Sequence, residues 1–266
     1  MIINPYQFGV AIDPDAQAFI TAAAITDNTQ KTAINQLVID LKGYNIWTKL
    51  YAAYPIVGGT STTHKWNLKN PLDTDAAHRI VFNGGWTHSS TGILANGVNA
   101  YADTKVPMNL APQNDIHLSI YCRTNSVITT VDIGCIYSTI SFNSYIQCRD
   151  SNLFSVRLNT NGLVNTTSAN TDSRGFFQAN RSNGTQVVTR KNNNTETTGT
   201  NNSISAGAFT FPYFIGNCNF NNAPLVGYYS NREYAFASLG QALSSTETAN
   251  YYLAIQNFQT TLGRNV

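Results

Sequence analysis

The sequence predicts a mainly β protein, an antiparallel sandwich of two sheets with helices before it and one helix after it. Apolar residues first recur with the 3.6-residue period of helices, and from Ile116 onward they alternate with the 2-residue period of strands. Strand-like segments then follow at spacings of about 8 to 12 residues, which is typical of all-β sandwiches. Near the end of the chain, Ser244 and Glu247 form a capping box that begins a helix over residues 244–263.

Helical patterns occupy residues 15–55, which we expect to be a helical segment in front of the sandwich. Residues 1–14 lack any sustained period and are interpreted as an N-terminal arm. Asp13 and Pro14 then provide an N-cap and a proline at the first helical position, so a helix is predicted over the alanine-rich residues 16–25.

A second helix is predicted to begin at Asp27 and to end near Gly43. Its apolar residues recur on one face: Ile34, Leu37, Val38 and Leu41. Residues 45–54 place aromatic and apolar side chains at helical spacing and are interpreted as a third, short helix. The sandwich itself is therefore expected to span residues 56–266, including the closing helix.

Alternation of apolar and polar residues predicts a series of half-buried strands. They are residues 116–122, 131–137, 145–149, 153–158, 176–181 and 186–191. Residues 192–202 are polar and of low complexity, and are interpreted as a hairpin tip. The four cysteines show no Cys-x-x-Cys spacing; Cys122 and Cys135 are in phase with neighbouring core residues, so reduced, structural cysteines are expected.

Composition restricts the classes of partner. Charged residues make up 11% of the chain, against roughly 25% in an average soluble domain. The formal net charge of +2 comes from scattered residues without a basic cluster, so no nucleic-acid partner is expected. The N-terminus lacks the pattern of a signal peptide and no apolar run is long enough to span a membrane, so neither secretion nor a membrane partner is expected.

The stretch over residues 64–104 concentrates two of the three tryptophans and three of the four histidines. It reads as short strands and tight turns, with GGWTH at 84–88 followed by NGVNAYADT at 96–104. Near the C-terminus, YFIG at 213–216 and YAFASLGQALS at 234–244 have the pattern of two last strands leading into a helix. In this order the motifs resemble a concanavalin A-like (laminin G-like) jelly roll of the kind found in bacteriophage virion proteins, over roughly residues 26–266.

This resemblance implies a non-enzymatic phage structural protein: a capsid decoration, head-fibre or tail-appendage component of the virion, made in the host cytoplasm. Its implied partners are other virion proteins, contacted through the N-terminal arm, and a cell-surface glycan. The Glu-x-Asp-x-x-Glu strand of laminarinase-type glucanases is absent from the sequence. The alternative is a polysaccharide-active enzyme or a free lectin of the same fold.

The residues themselves predict no catalytic site, no metal site and no cofactor. Glycoside hydrolysis normally uses two carboxylates about 5–10 Å apart, whereas the three glutamates fall in the hairpin tip, before the last strand and in a helix cap. Asp73 and Asp75 lie two positions apart and are interpreted as helix-capping residues. Three histidines are interpreted as surface or hydrogen-bonded side chains, not as zinc ligands: His64, His78 and His88.

A calcium loop is a further alternative, since Asn96, Asn99 and Asp103 offer oxygen ligands, but turn chemistry explains the asparagines equally well. For carbohydrate binding, Trp86 and His88 are the candidate residues, because an aromatic face stacks on a sugar ring and polar groups meet its hydroxyls. The competing interpretation of Trp86 is an aromatic plug at an end of the sandwich.

The helical segment predicts self-association. Its aromatic residues offer more apolar area than one lid on a sandwich requires: Phe19, Tyr44, Trp47, Tyr51 and Tyr54. A dimer or trimer with cyclic symmetry is therefore expected. In the alternative, the helices cover one edge and face of the sandwich and residues 1–14 are a loose terminus.

Overall fold

Two β-sheets face each other across a shared core, and helices cover the outer face of one of them. This architecture is seen in a computed structural model that describes residues 11–266. The helices are α1 (Pro14–Ala22), α2 (Asn28–Gly43), α3 (Ser61–His64) and α4 (Ser245–Thr261), with 3-10 turns at Trp47–Lys49, Asp75–Ala77 and Ser138–Ile140. The strands are β1 (Leu50–Tyr54), β2 (Val81–Asn83), β3 (Trp86–Ser89), β4 (Gly92–Ala95), β5 (Tyr101–Pro107), β6 (Ile116–Cys122), β7 (Ile133–Tyr137), β8 (Phe142–Asp150), β9 (Leu153–Asn161), β10 (Thr166–Ala169), β11 (Gly175–Arg181), β12 (Gln186–Lys191), β13 (Thr197–Thr200), β14 (Pro212–Ile215), β15 (Cys218–Phe220), β16 (Ala223–Pro224) and β17 (Glu233–Gly240).

The first sheet has the strand order β13-β12-β11-β6-β17-β4-β3, with β1 also paired to β17. The second sheet has the order β10-β9-β8-β7-β14-β5-β2, with β15 and β16 added beside β7. The pairings are antiparallel except for the short parallel contact between β15 and β7. Strands β2 and β3 therefore end the two sheets on one side of the sandwich, and β10 and β13 end them on the other.

Two hydrophobic clusters hold this arrangement together. The first fills the space between the sheets and includes Leu118 and Ile120 of β6 opposite Phe154 of β9. The second lies between the outer face of the first sheet and helices α1, α2 and α4, where Phe236 of β17 packs with Tyr251 of α4. The first sheet is thus buried on both faces, which is why its strands β6 and β11 have no exposed residue.

The main sequence predictions for the fold are confirmed. The molecule is a mainly β, antiparallel two-sheet sandwich with N-terminal helices and a C-terminal helix. The predicted strands are present, α1 begins after its Asp13 cap and α2 after its Asp27 cap, and the Ser244–Glu247 capping box begins α4. All four cysteines are free and buried.

The third helix predicted over residues 45–54 is wrong. The chain makes a 3-10 turn at Trp47–Lys49 and then forms strand β1, which pairs with β17. Ala52 and Tyr54 belong to the core between the sheets, whereas Leu50 and Ala53 belong to the cluster beneath the helices. A strand buried on both faces carries apolar residues at nearly every position, so its sequence has no strand period to distinguish it from a helix.

The aromatic residues behind the dimer or trimer prediction are largely covered within the chain itself. Phe19 and Trp47 are buried under the helices against the first sheet, and Tyr54 lies in the core with its hydroxyl donating to the carbonyl oxygens of His78 and Thr104. Self-association remains a prediction, without the uncovered apolar area that motivated it.

Most of the predicted N-terminal arm, residues 1–10, lies outside the described part of the chain. Across residues 11–266, no helix has both the length and the apolar character needed to cross a membrane.

Candidate functional site

The predicted carbohydrate residues Trp86 and His88 lie on β3, at the edge of the first sheet. Here the edge of the second sheet brings Phe82 of β2 next to them, with ring centroids 5.9 Å from Trp86 and 4.6 Å from His88. The side chains of all three are half-buried. They close this side of the sandwich as a row of rings.

A second histidine joins this row and fixes the tautomers of both imidazoles. The Gly59 backbone N–H donates to His64 Nε2 at 3.0 Å, so the proton of the neutral His64 ring is on Nδ1. His64 Nδ1 lies 3.0 Å from His88 Nδ1, which must accept, so the proton of His88 is on Nε2. Burial, with a smaller contribution from His88, lowers the pKa of His64 to about 3, and burial also lowers the pKa of His88. Both rings are therefore neutral at pH 7.

Trp86 is a wedge as well as a surface ring. A Cβ atom on Gly216 would come within 2.7 Å of the indole Cη2 atom, so the tip of the ring occupies the space that this glycine leaves open. The indole Nε1–H is buried and has no acceptor among residues 11–266. This position agrees with the interpretation of Trp86 as an aromatic plug and leaves only part of the ring for stacking on a sugar.

The other residues that the sequence offers as possible metal ligands are not brought together. His78 Nδ1 lies 3.0 Å from the Lys105 carbonyl oxygen, away from the His64–His88 pair. The Asn96 side chain accepts hydrogen bonds from three backbone N–H groups that follow it, which is turn chemistry. Asp103 is paired with Lys105 at 3.0 Å. Within residues 11–266, no group of three or more His, Cys, Asp or Glu side chains is placed to hold a metal ion.

The aspartates that drew attention in the sequence are engaged by cations. Asp73 contacts Lys65 at 2.5 Å and Arg79 at 3.2 Å, and these hydrogen bonds lower its pKa. Asp75 contacts Arg79 at 3.0 Å. The most buried carboxylate, Asp132, pairs with Arg232 at 2.7 Å, and both side chains are fully buried.

The three glutamates have structural partners. Glu233 pairs with Arg123 at 2.7 Å, and Glu196 accepts hydrogen bonds from two hydroxyls at the start of α4. Glu247 pairs with Lys49 at 2.7 Å. Desolvation raises the pKa of Glu247, but the hydrogen bonds from Lys49 and Ser244 together outweigh it, so the net shift is downward.

A serine–histidine pair lies elsewhere, beneath α4. Ser238 Oγ is 3.1 Å from His117 Nε2, yet the same hydroxyl also contacts Ser119 Oγ at 2.7 Å and accepts from Tyr251 at 2.8 Å. Both residues are buried, and burial lowers the pKa of His117 to about 4. The hydroxyl is committed to a buried network between the first sheet and α4, so the pair ties α4 to the sheet.

On the opposite side of the sandwich, a cleft of about 240 Å³ opens between the edge strands β10 and β13. Its lining is almost entirely polar: Phe154, Ser168, Ala169, Asn170, Thr171, Asp172, Thr189, Lys191, Asn194, Thr195 and Thr197. At its base the two sheets approach closely, because a Cβ atom on Gly199 would come within 2.1 Å of Thr166 Oγ1. We refer to this hollow as the edge cleft.

Several residues of the edge cleft occupy positions that point into the sandwich. Ser168 is the register partner of Phe154, Thr189 of Thr197, and Lys191 of Phe177. Cross-strand partners share one face of a sheet, and Phe154 and Phe177 belong to the core between the sheets. Polar residues therefore replace apolar ones on the inner face of both sheets, which is unusual in a sandwich unless the position has a function.

Lys191 is the cation that lines this cleft, beside the Asp172 carboxylate. Its ammonium group donates to Asn170 Oδ1 at 2.8 Å and to the Asp172 carbonyl oxygen, and lies 5.3 Å from the centroid of the Phe177 ring. Burial lowers its pKa, an effect that the nearby Asp172 carboxylate opposes. That carboxylate is itself held by Arg174, at 2.8 Å.

The edge cleft was missed in the sequence, although its signal is present. In the strand predicted over residues 186–191, Thr189 and Lys191 alternate in step with Val187, which is buried in the core between the sheets. Larger hollows of about 330 and 400 Å³ border α1 and α2 near Ile12.

Comparison with known proteins identifies fold neighbours only. No protein-family model and no curated protein sequence matches the chain. Among solved structures, a mutant Trypanosoma rangeli sialidase displaying trans-sialidase activity is similar, with a TM-score of 0.51 and 11% identity over 85% of this chain. The chain spans only 39% of that sialidase.

Two further neighbours are less similar. Domain 4 of AbnA, a GH43 extracellular arabinanase from Geobacillus stearothermophilus in complex with arabinotriose, has a TM-score of 0.44 and 13% identity, with 77% of this chain and 98% of that domain covered. A mutant NanB sialidase from Streptococcus pneumoniae has a TM-score of 0.42 and 12% identity, with 62% of this chain and 27% of that chain covered. At such identities the likeness establishes the β-sandwich fold and nothing finer.

These neighbours correct the function expected from the sequence. The neighbour with a TM-score above 0.5 is a sialidase, and nothing in the comparison indicates a bacteriophage, a capsid or a tail. The prediction of a non-enzymatic virion component is therefore wrong. It depended on short motifs that specify a sandwich and carry no information about the particle or cell in which the sandwich is used.

Proposed function

We propose that this chain is a carbohydrate-binding domain, a lectin of the sandwich fold, and that it holds a sugar residue in the edge cleft. One observation carries the proposal. Ser168, Thr189, Lys191 and Thr197 are polar residues on inner-face positions of the two sheets, where burial of apolar side chains would stabilise the sandwich more.

The chemistry of the cleft suits a sugar. Hydroxyl and amide side chains line its walls, and the Phe154 side chain supplies an apolar floor. Thr189 Oγ1 makes only a long contact of 3.4 Å to the Thr197 carbonyl oxygen, so its hydroxyl lacks a good hydrogen-bond partner within the chain. The volume is below the roughly 300–1,000 Å³ of pockets for drug-sized ligands, which suits one sugar residue at a chain end or branch. The carbohydrate-active fold neighbours agree with this ligand class.

Hydrolysis is the competing function, because the neighbours are named as sialidases and an arabinanase. A glycosidase usually needs a carboxylic acid whose pKa is raised, placed opposite a second carboxylate. In residues 11–266, each carboxyl group with a clear shift has its pKa lowered: Asp13, Asp73, Asp172 and Glu247. Since Glu233, Glu247 and Asp132 are also paired with cations, these carboxylates favour binding over hydrolysis.

The row of rings at Trp86 and His88 is kept as a second location for a sugar. What supports it is the Nε2–H of the half-buried His88, which the tautomer argument leaves as a donor, and the part of the Trp86 ring that is not wedged beside Gly216. The two locations are on opposite edges of the sandwich, so single substitutions can tell them apart.

A glycan array followed by calorimetry tests the proposal. Ser168→Leu fills the edge cleft, whereas Thr167→Leu places the same side chain on the exposed, opposite face of β10 and is the matched control. We expect the parent and the Thr167 variant to bind the same glycans and the Ser168 variant to lose them.

A blank array for the parent, or unchanged binding by a folded Ser168 variant, contradicts the proposed site and function. Release of reducing ends from a bound polysaccharide would instead show that the chain is a hydrolase.

A further inference from the structure

We infer that the sugar bound in the edge cleft carries an acidic group, a carboxylate or a sulfate, and that Lys191 binds it. This inference rests on the proposed carbohydrate-binding function and adds the chemical class of the ligand. It is carried by the placement of the Lys191 ammonium group in a cleft lined mainly by hydroxyl and amide groups, where the one carboxylate of the lining, Asp172, is held by Arg174.

The geometry leaves part of the Lys191 ammonium group unused. An ammonium has three donors, and two of them are taken by Asn170 Oδ1 and the Asp172 carbonyl oxygen. Asn170 is itself fixed, since its Nδ2 donates to the Cys148 carbonyl oxygen at 2.6 Å. The remaining donor belongs to a group that is held in place before any ligand arrives, which reduces the entropy lost on binding.

The charge of Lys191 is only partly compensated, by the Asp172 carboxylate nearby. Within residues 11–266, no carboxylate lies within 4.0 Å of its Nζ atom. The nearest acid, Asp172, accepts hydrogen bonds from Arg174 Nε and Nη2 at 2.8–3.1 Å and is neutralised there. The three side chains together leave one positive charge at the cleft. Burying a cation partly, without an anion, costs free energy that a bound anion would recover.

A purely structural role does not explain this residue. Lys191 is the register partner of Phe177, and the stem of its side chain lies against the core, a position that methionine would fill without burying a charge. Its two hydrogen-bond partners are an amide oxygen and a carbonyl oxygen of the adjacent turn, which orient the ammonium group toward the cleft.

The test compares three oligosaccharides by calorimetry: oligogalacturonate, its fully methyl-esterified form and sulfated carrageenan oligosaccharide. Because hydrogen bonds to charged groups are stronger than neutral ones, we expect an acidic ligand to bind about 10- to 100-fold more tightly than the neutral ester. The carboxylated and sulfated ligands distinguish the two sources of negative charge.

Lys191→Met should remove this preference, and its affinity for the neutral ester should stay within about threefold of that of the parent. Arg190→Met is the matched control. It also removes one positive charge from β12, but Arg190 is the adjacent residue and points to the opposite face of the sheet. It should keep the preference for the acidic ligand. Thermal unfolding of each variant verifies that it is folded.

Equal binding of acidic and neutral ligands by the parent overturns the inference and leaves the proposed function standing. The same holds if the acidic preference survives in a folded Lys191 variant, since the charge is then recognised elsewhere. If the parent binds none of these ligands and no glycan on the array, it is the proposed function that fails.

Discussion

Replacement of Thr189 by valine separates the stability of the sandwich from its proposed function. Thr189 is only 2% exposed, and its hydroxyl makes a single long contact of 3.4 Å to the Thr197 carbonyl oxygen. Burying a hydroxyl without a good hydrogen bond costs about 1–3 kcal/mol in mutational data. Valine has nearly the same shape, and the long contact to the Thr197 carbonyl oxygen recovers part of that cost. We therefore expect Thr189→Val to raise the free energy of unfolding by about 0.5–1 kcal/mol and to weaken glycan binding at the same time.

Thr104 provides the matched comparison on β5. It is equally buried, but its hydroxyl donates to the Tyr213 carbonyl oxygen at 2.8 Å and accepts from the Val106 N–H at 3.2 Å. Thr104→Val should lower the free energy of unfolding by about 1–3 kcal/mol, since it strands a carbonyl and an N–H group.

Urea unfolding monitored by tryptophan fluorescence measures both changes, provided that the m-value stays constant. If Thr189→Val destabilises the protein by more than about 1 kcal/mol, or binds glycan as the parent does, the hydroxyl is structural and the reasoning about the edge cleft is refuted.

Three other predictions concern the rest of the molecule. Burial lowers the pKa values of His64 and His117 from the ordinary 6.5 to about 3 and about 4, so the unfolded chain takes up protons first as the pH falls. The free energy of unfolding is therefore highest above pH 6.5, and at pH 5 it is lower by about 2 kcal/mol for each ring. Urea midpoints at pH 7 and pH 5 measure this loss. A His117→Gln variant that loses as much as the parent would contradict the prediction. Arg264 is fully buried and anchors the C-terminus by donating to backbone carbonyl oxygens and one side-chain amide oxygen. Arg264→Met should therefore lower the free energy of unfolding by about 3–5 kcal/mol. A loss below about 1 kcal/mol would disprove this anchoring role. Trp86→Ala should lower the free energy of unfolding by about 2–4 kcal/mol, because the indole ring that fills the space beside Gly216 is lost. If the edge cleft is the site, this variant should still bind glycan. Loss of binding by the folded variant would place the site at the row of rings.

The sequence predicts elements well wherever one local signal agrees with one burial pattern. Strand β6 is correctly placed because its alternation is strong, and α4 is correctly started because Ser244 and Glu247 cap each other. Strand β1 is mistaken for a helix because burial on both faces erases its alternation, and only the pairing with β17 decides its conformation. That pairing joins residues almost two hundred positions apart, which no local pattern contains.

The candidate sites, like strand β1, depend on an arrangement that no local sequence pattern contains. Trp86 stands out in the sequence because tryptophan is rare, yet most of what it does in the structure is to fill the space beside Gly216. The edge cleft is built largely from serine, threonine and asparagine. These residues are common throughout the chain, so no single one of them stands out in the sequence. Only the strand register reveals that Ser168 and Thr189 point inward, so their significance depends on an arrangement that composition and spacing do not specify.

The two edges of the sandwich, taken together, explain why the edge cleft is the stronger candidate. Each sheet ends on both sides, and an end must be closed or it exposes the core to water. On one side, Phe82, Trp86 and His88 close the gap with rings, which is what stability alone would favour. On the other side, hydroxyls and Lys191 stand at inner positions and leave a hollow. Since apolar side chains would close that edge as well as they close the first, stability does not account for the polar residues there, and recognition of a polar, charged ligand does.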